Sequence, residues 1–440
     1  MLRRKFYDVL LNWKKAKKNE CLLVNGARQV GKTFIIEKFG QEQYRKYYYL
    51  NFIKDPSLKS IFEGSLEPSE LYKRMSLYIP SFSPEESNTL FFLDEIQRCK
   101  KARTAMKFLA LDNRYDFIAS GSLLGIHHYN EESSDSEDEV SIPVGYEREL
   151  EMTSLDFEEF LGAMGYGDEA VSNLKNLFES QTKINKEVNE RFQKLFREYM
   201  VVGGMPEVVK TMIETSNYLE TYNAQQKILK AYEDDILLYA KNTEKPKIFA
   251  CYNSIPRQLS NGYTKFKYKT VERSGSARKY GNSLDWLVDA GLIKKVFNVS
   301  RPAIPLKANE IQEEFKIYAT DIGLTTAMFG FETQSALLME KLDGPAKGGI
   351  FENLIFDVLS KKRIPLYYFR KDEGKQEIEF VFERNGSVIP VEEKAGRGRT
   401  VSLNTFINDY SPEIAYKLID GNIGKDQTKL TIPHYMAQFI

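Results

Sequence analysis

Residues 26–33, GARQVGKT, constrain the fold of this chain more than any other stretch of its sequence. They follow the short apolar run CLLV, which is typical of a buried parallel strand, and they precede FIIEKF, which continues as a helix. Gly26 and Gly31 permit backbone conformations that other residues avoid. The N–H groups of the loop can then point at phosphate oxygens, with the N-terminus of the helix behind them. The pattern predicts a nucleotide-binding loop.

The last two residues of the loop have specific expected roles. Lys32 is predicted to reach the outer phosphates of ATP, and the Thr33 hydroxyl is predicted to hold Mg²⁺. ATP and Mg²⁺ are therefore the expected cofactors. The nucleotide-binding residues are predicted to be the whole loop, that is Gly26, Ala27, Arg28, Gln29, Val30, Gly31, Lys32 and Thr33.

A second motif, TLFFLDE at residues 89–95, is suited to magnesium binding and water activation. Four apolar residues predict a buried strand that ends at two carboxylates. Asp94 is expected in the Mg²⁺ shell, and Glu95 is expected to polarise the attacking water. The competing interpretation is a strand followed by an acidic helix cap.

Two further stretches predict strands. YDFIASGS, residues 115–122, ends in hydroxyl residues, and Ser120 or Ser122 is expected to sense the γ-phosphate unless this is only a serine-rich turn. YYYLNF, residues 47–52, predicts another strand. Strands that alternate with helices indicate an α/β fold with a parallel sheet, and ligands bind such sheets at the carboxyl ends of the strands.

An arginine often completes a site of this kind from the same or a neighbouring chain. The sequence offers Arg98, Arg103 and Arg148 and does not rank them. For each, the simpler interpretation is a solvated side chain.

Length and composition limit the number of domains, the kind of partner and the cellular compartment that can be expected. A chain of 440 residues predicts two or three domains. Lys+Arg and Asp+Glu both total 62, so any nucleic-acid site must be a local patch. The scattered Cys21, Cys99 and Cys251 predict a reducing, cytoplasmic compartment without a disulfide framework. The sequence has no run of 18 apolar residues, so no membrane span is expected.

The N-terminal and middle parts of the chain give local predictions. Apolar residues at helical spacing predict an amphipathic packing helix in the first twenty residues, through Phe6, Val9, Leu10 and Trp13. The acidic stretch 131–139, EESSDSEDE, predicts a mobile surface loop, and the neighbouring His127 and His128 are interpreted as solvated, not as a metal site.

Residues 151–250 are predicted to be mainly helical. VVGGMPEVV, residues 201–209, predicts a hinge or lid turn beside the nucleotide, followed by a helix that begins at proline. A helix, a turn at Gly291 and a strand then give the pattern of a winged helix. The segment before it is basic and is interpreted either as a nucleic-acid contact or as a solvated face, through Lys265, Lys267, Lys269, Arg273, Arg278 and Lys279.

Residues 377–396, EIEFVFERNGSVIPVEEKAG, predict a hairpin that turns at Asn-Gly. Counting outward from the turn places Glu379 opposite Glu392, and Glu377 opposite Lys394, all on one face. Two carboxylates directly across a sheet repel each other by up to ~1 kcal/mol, which a divalent cation would relieve. The set is similar to a metal-dependent phosphodiesterase site at Glu379 and Glu392. The alternative is a solvated face with Glu–Lys pairs.

The order of these motifs resembles prokaryotic AAA-type P-loop ATPases that carry a DUF4143 C-terminal region. The resemblance rests on GARQVGKT, FFLDEIQ, IASGS, DFEEFL, VVGGMPEVV, YATDIGL, FEN and PVEEKAG and covers nearly the whole chain. It implies an ATPase core, a winged-helix-like segment and a C-terminal domain similar to the restriction-endonuclease fold. The tail motifs of the family fall on Glu352-Asn353, Glu377/Glu379 and Glu392/Lys394. Glu379 replaces the usual aspartate, and the acidic loop resembles an insertion.

The expected domains are an ATPase domain at 1–165, a helical lid and winged-helix-like region at 166–330, and a restriction-endonuclease-like domain at 331–440. The first functional hypothesis is an ATPase whose nucleotide state moves a tail that acts on nucleic acid, with DNA as partner. The alternative is a slow ATP-dependent switch whose inactive tail binds a protein. A third is a DNA-binding regulator with weak ATPase activity. The oligomeric state does not follow from the sequence.

Overall fold

The computed structural model describes residues 2–16, 19–123, 143–260, 265–371, 376–394 and 401–440. The chain divides into two compact units. The N-terminal unit contains Arg4–Ser154 and the short stretch Asp289–Gly291, and the C-terminal unit contains Leu155–Val288, Leu292–Ile440 and the first three residues. In the described part of the chain, no helix has the length and apolarity needed to cross a membrane.

The N-terminal unit alternates strands and helices. Its helices and strands are α1 (Lys5–Ala16), β1 (Cys21–Asn25), α2 (Lys32–Gln43), β2 (Lys46–Asn51), α3 (Pro68–Tyr78), β3 (Thr89–Asp94), α4 (Lys100–Asp112), β4 (Asp116–Ser120) and β5 (Glu147–Glu151). Short 3₁₀ helices occupy Pro56–Phe62 and Ile96–Arg98. The predicted strands at 21–24, 47–52, 89–94 and 115–120 are all present within one or two residues of their expected ends.

The five strands form one parallel sheet in the order β2-β3-β4-β1-β5. The predicted α/β fold with a parallel sheet is therefore confirmed. Because all five strands run the same way, their carboxyl ends lie at one edge of the sheet. The register aligns Asn51 with Asp94 and Val24 with Ser120, so polar residues from separate motifs meet at this edge.

Apolar side chains from the strands and their covering helices form the core of this unit. Phe91, Leu93 and Phe117 are fully or almost fully buried, and Phe91 and Phe117 stack with ring centroids 4.9 Å apart. Helix α1 buries Phe6, Leu10 and Trp13, three of the four residues predicted for its apolar face. Burial of aromatic rings of this size is the largest apolar contribution that such a core offers.

The C-terminal unit combines helices with a second sheet. Its helices are α5 (Phe157–Ala163), α6 (Asp168–Glu179), α7 (Lys186–Val202), α8 (Pro206–Thr215), α9 (Tyr218–Tyr239), α10 (Lys245–Ser260), α11 (Tyr268–Val271), α12 (Ala277–Asp289, whose last residue belongs to the N-terminal unit), α13 (Ile322–Met328), α14 (Phe331–Leu338), α15 (Pro345–Ser360) and α16 (Val401–Tyr410). Its strands are β6 (Ile293–Val299), β7 (Glu310–Ala319), β8 (Tyr367–Arg370), β9 (Glu377–Arg384), β10 (Ser387–Lys394), β11 (Ala415–Ile419), β12 (Gly424–Asp426) and β13 (Lys429–Pro433).

The strands of the C-terminal unit form one mixed sheet in the order β12-β13-β11-β10-β9-β8-β6-β7. This sheet takes β6 and β7 from before residue 330 and the other six strands from after it. The strand of the predicted winged-helix pattern, β6, thus pairs with β7 and β8 in the same sheet as the C-terminal hairpin. The sheet crosses the expected boundary between residues 330 and 331, and the three-domain division stays a prediction.

The Gly-Gly turn at residues 203–204 is buried within the C-terminal unit. Asp321, itself 5% exposed, accepts hydrogen bonds from the backbone N–H groups of Gly204 (2.9 Å) and Leu324 (3.0 Å). A Cβ on Gly204 would lie 2.1 Å from the carbonyl oxygen of Leu155. Hydrogen bonds and close backbone contacts therefore hold the turn within the C-terminal unit, and its role as a hinge or lid stays a prediction. The helix after it begins at Pro206, as predicted.

Two expectations lie outside the described residues. They are the mobile acidic loop at 131–139 and the solvated histidine pair His127 and His128.

Replacing Asp321 tests whether this clamp stabilises the C-terminal unit. Asp321→Ala leaves two buried backbone N–H groups without their acceptor, so we expect the free energy of unfolding to fall by about 2–4 kcal/mol. Asn217→Ala is the matched control, because Asn217 also accepts from two backbone N–H groups but at an exposed helix start. It should cost about 1 kcal/mol. Equal losses in chemical denaturation would contradict the clamp.

Candidate nucleotide site and a buried carboxylate cluster

The predicted phosphate loop adopts backbone conformations at its two glycines that other residues avoid. Gly31 lies in the left-handed region at φ 95° and directly precedes α2. Gly26 has φ 146°, and a Cβ there would lie 2.2 Å from the carbonyl oxygen of Met152. Because Gly31 has no side chain, it cannot bond the first N–H groups of α2, and these groups can bind an anion.

A buried arginine braces this loop. Arg4, which is 7% exposed, donates from Nη1 to the carbonyl oxygen of Val30 (2.8 Å) and from Nη2 to that of Thr153 (2.6 Å). Both contacts lie within the N-terminal unit. The guanidinium fixes the loop to the segment that follows β5. Nothing in the local sequence distinguishes Arg4 from the basic residues around it, so sequence reasoning missed it.

Lys32 lies where the motif places it. Its Nζ donates to the carbonyl oxygens of Gly26 and Ala27, at 2.9 Å each. Desolvation lowers the pKa of Lys32 to about 8, while the nearby Glu95 and Asp94 act in the opposite direction. A phosphate in the loop would replace these contacts to neutral carbonyl oxygens by hydrogen bonds to an oppositely charged group, which are stronger.

Asp94 joins the predicted elements of the site. Its Oδ2 accepts from the Thr33 hydroxyl at 3.3 Å. Its Oδ1 accepts from the hydroxyl of Ser120, one of the two predicted sensor residues, and from the backbone N–H of Glu95 at 3.1 Å. Three separate motifs therefore meet at one carboxylate. The Asp94 side chain is buried, at 3% exposure for the residue.

Two residues of β2 complete this network. The Tyr49 hydroxyl donates to Asp94 Oδ2 at 2.8 Å, and Asn51 Nδ2 donates to the same oxygen at 3.0 Å. Neither was predicted as a site residue. The sequence did contain a signal for Asn51, since it ends a strand that is parallel to the one ending at Asp94.

Glu95 is held in an unusual backbone conformation. Its φ of 57° and ψ of 45° lie in the left-handed region, which is uncommon for a residue with a side chain. Its carboxylate accepts from Gln97 Nε2 at 2.6 Å. The hydrogen bond and the backbone geometry orient the side chain at the same sheet edge as Asp94. Strained residues of this kind occur often in functional sites.

Arg103 and Arg148, both candidate arginines, lie beside acidic residues. Arg103 is buried and forms a two-point ion pair with Glu147, at 2.8 and 3.2 Å. Arg148 lies 3.4 Å from Glu20 and is partly exposed. Arg103 therefore joins α4 to β5, and which of the three candidates acts at the phosphate stays open.

The residues present suit a magnesium ion. Thr33 and Asp94 supply a hydroxyl and a carboxylate next to each other, and oxygen atoms are the ligands that Mg²⁺ prefers. The assignment of these two residues as metal ligands stays a prediction.

The second candidate site lies in the C-terminal unit, on the hairpin of β9 and β10. Asn385 and Gly386 form its turn with φ of 51° and 78°. The strands pair with Arg384 opposite Ser387 and Phe380 opposite Val391, which is the register expected from the sequence. Continuing that register one position places Glu379 opposite Glu392.

A lysine lies between these two glutamates. Lys394 Nζ is 3.0 Å from Glu379 Oε1 and 3.2 Å from Glu392 Oε1. Glu392 is 1% exposed, so the solvated face considered from the sequence is not what forms. Burial raises the pKa of Glu392, and burial together with the neighbouring carboxylates raises that of Glu379 to about 8 against the effect of Lys394. The Oε2 atoms of both glutamates are buried without a hydrogen-bond partner.

A second lysine, Lys316, also lies between two glutamates nearby. Lys316 of β7 is 2% exposed, and its Nζ lies 2.7 Å from Glu352 Oε1 and 2.6 Å from Glu377 Oε1. The Tyr318 hydroxyl also donates to Glu352. The two carboxylates raise the pKa of Lys316 above its usual value although burial acts to lower it. A single lysine within the apolar run FKIYA was the signal in the sequence that we did not use.

These groups line a cavity of about 310 Å³. Its walls include Lys316, Tyr318, Glu352, Glu377, Glu379 and Lys394. Asn353, the other half of the Glu-Asn motif, is fully buried and pairs with both backbone groups of Ala319, so its contacts are structural. Among the residues that the structure describes, no group of three or more His, Cys, Asp or Glu side chains is arranged to hold a metal. The metal role of Glu379 and Glu392 stays a prediction.

The basic segment at residues 265–279 is partly neutralised. Lys265 forms an ion pair with Glu314 at 2.8 Å, and Lys279 forms one with Glu272 at 2.5 Å. Two of the six basic side chains predicted for nucleic-acid contact thus have acidic partners.

Comparison with known families assigns most of the chain. The model of the AAA domain family (AAA_14) matches residues 18–161, and that of the domain of unknown function DUF4143 matches residues 347–432. These two matches confirm the resemblance that the motif order predicts. A third model, the domain of unknown function DUF8612, matches residues 193–335 and was not anticipated. No curated protein matches the chain.

Solved structures give weaker similarities. The Walker-type ATPase paby2304 of Pyrococcus abyssi is 12% identical with a TM-score of 0.41, covering 75% of this chain and 96% of that one. The RuvB Holliday junction branch migration motor of Thermotoga maritima is 12% identical with a TM-score of 0.28, covering 67% and 90%. AMPPCP-bound DnaA from Aquifex aeolicus is 14% identical with a TM-score of 0.28, covering 66% and 88%. Similarities at this level identify neither a substrate nor a partner.

Replacing Lys394 tests the charge balance of the hairpin. Lys394→Met leaves two buried carboxylates without their cation, so we expect a loss of about 3–5 kcal/mol in the free energy of unfolding. Adding Glu379→Gln to the Lys394→Met variant should restore part of the lost free energy of unfolding. Lys371→Met is the matched control, because Lys371 pairs with Asp409 at 2.7 Å on the surface and should cost less than about 1 kcal/mol. Similar losses for the two lysines would refute this account.

Proposed function

We propose that this chain, an AAA-type P-loop ATPase with a DUF4143 C-terminal region, binds ATP with Mg²⁺ and hydrolyses it in its N-terminal unit. The observation that carries the proposal is the Asp94 carboxylate, which hydrogen-bonds to the Thr33 hydroxyl of the phosphate loop and to the Ser120 hydroxyl of β4. A nucleotide site needs these three groups together, and they come from three motifs far apart in the sequence. The family match over residues 18–161 supports the same activity.

The residues of this unit have the following proposed roles. The loop backbone from Gly26 to Thr33 binds the phosphates, and Lys32 exchanges its carbonyl contacts for phosphate oxygens. Thr33 and Asp94 hold Mg²⁺, which neutralises charge on the phosphates when bound. Glu95 orients the attacking water and accepts its proton, and Ser120 responds to the γ-phosphate through Asp94.

What ATP hydrolysis is used for is a separate question, and two answers are proposed. In the first, the tail is a restriction-endonuclease-like domain that cuts DNA held by a winged-helix-like segment. In the second, the tail is catalytically inactive and binds a protein partner. The second is favoured by the two lysines, since Lys394 and Lys316 each occupy the place between two carboxylates where a cation would bind. We therefore propose the ATP-dependent switch with an inactive tail.

A cytoplasmic location is part of this proposal. All three cysteines are buried free thiols, which suits a reducing compartment.

ATP turnover by purified protein tests the nucleotide site. Lys32→Ala should abolish ATP binding, because the loop loses its only lysine and the charge that it directs at the phosphates. Glu95→Gln should keep binding and lower kcat by about 10²-fold or more, the scale of general-base catalysis. Lys38→Ala is the control, since this lysine lies on the same helix and pairs with Glu42. Unchanged turnover in Lys32→Ala would refute the proposal.

The same assay with added DNA distinguishes the two proposed functions of the tail. Turnover that DNA stimulates would support a nucleic-acid function, and turnover indifferent to DNA would support the switch.

A direct cleavage assay tests the tail. With labelled single- and double-stranded DNA and Mg²⁺ or Mn²⁺, we expect no cleavage by wild-type protein above that of Glu392→Ala. Cleavage by the wild type that Glu392→Ala abolishes, while Glu413→Ala retains it, would overturn the inactive tail. Glu413 is an exposed glutamate of the same unit and controls for general effects of the substitution.

A further inference from the structure

Tyr49 contacts the centre of the nucleotide site although no motif includes it. It lies in β2, and its hydroxyl donates to Asp94 Oδ2 at 2.8 Å. Its ring stacks on Phe92 of β3, with centroids 5.3 Å apart and an angle of 30° between the planes. Because the ring is held by this stacking, the direction of the hydroxyl towards the carboxylate is also held.

The hydroxyl of Tyr49 is engaged from two sides. Asn51 Nδ2 donates to it at 2.9 Å, so its own hydrogen remains for Asp94. The amide of Asn51 donates to Asp94 Oδ2 as well. At that same oxygen the Thr33 contact is the longest, at 3.3 Å against 2.8 Å for Tyr49. The tyrosine therefore orients the carboxylate more tightly than the loop itself does.

We propose that Tyr49 is a positioning residue, which orients the Asp94 carboxylate towards the Thr33 hydroxyl and thereby sets the affinity of the site for the divalent cation that accompanies ATP. The inference rests on the proposed ATPase function and assigns Tyr49 no contact with nucleotide. It concerns the chain's own carboxylate, whose rotation about its terminal bond would otherwise be broad.

The chemistry of the donor explains why a tyrosine suits this place. A buried carboxylate needs hydrogen bonds to offset its lost hydration. A lysine would supply them but would also neutralise the carboxylate, as Lys394 does at Glu379. Tyr49 and Asn51 are neutral donors, so their hydrogen bonds add no positive charge beside Asp94.

The test measures how much Mg²⁺ strengthens nucleotide binding. A fluorescent non-hydrolysable ATP analogue is titrated into the full chain with Mg²⁺ and again with EDTA, and the ratio of the two affinities is the magnesium enhancement. Tyr49→Phe keeps the ring on Phe92 and removes only the hydroxyl. We expect its enhancement to fall by about tenfold, the effect of one hydrogen bond to a charged group. Its affinity in EDTA should stay within about twofold of wild type, because the inference gives Tyr49 no nucleotide contact.

Tyr48→Phe is the matched control. Tyr48 is the neighbouring residue of the same strand, stacks on Phe91 at 5.1 Å, and accepts from the Ser83 N–H at 2.8 Å with its hydroxyl. Its magnesium enhancement should equal that of wild type. Mn²⁺ binding in the presence of the analogue, followed by electron paramagnetic resonance, should weaken in Tyr49→Phe and not in Tyr48→Phe.

Each outcome decides the inference. An unchanged enhancement in Tyr49→Phe overturns it. Equal losses with Mg²⁺ and with EDTA also overturn it, because the tyrosine would then only support the fold. Failure of the proposed function is separate, since it would appear as wild-type protein that binds no analogue in either condition.

Discussion

The N-terminal unit depends on one buried negative charge. Asp94 is 3% exposed, and a carboxylate at that depth is costly unless donors surround it. Its donors come from the phosphate loop, from β2, from β4 and from the backbone after β3. In this parallel sheet β3 lies between β2 and β4, and this order brings the ends of the three strands together at one edge. The site therefore depends on the strand order.

The sequence predicted the parts of this site that have local signals. A glycine-rich loop and a strand ending at two carboxylates are short patterns, and the structure places Lys32, Thr33 and Asp94 as those patterns imply. Arg4 and Tyr49 were missed, because each acts on a residue distant in the chain and has ordinary neighbours. Contacts of this kind depend on strand order, which the alternation of strands and helices does not determine.

The hairpin shows the opposite balance. Its register followed from Asn385-Gly386 and from counting, and the structure confirms it. The surroundings of the hairpin could not be predicted in the same way. Alternation of side chains assigns residues to a face but does not say what covers that face. Glu392 is buried and paired with Lys394, whereas the alternative to a metal site expected Glu–Lys pairs on a solvated face. Lys316 reaches the same cavity from β7, more than sixty residues earlier.

The two sites differ in how buried acid is compensated, and this difference bears on function. The hydrogen bonds to Asp94 come from neutral hydroxyl, amide and backbone donors. In the C-terminal cluster, Lys394 and Lys316 each place one ammonium group against a pair of glutamates, so part of the negative charge is offset from within the protein. An added cation would have to compete with a lysine that already pairs with the Oε1 atoms of these glutamates. By this argument a metal ion suits the Asp94 site better than the hairpin cluster, in keeping with the proposed Mg²⁺-dependent ATPase and inactive tail.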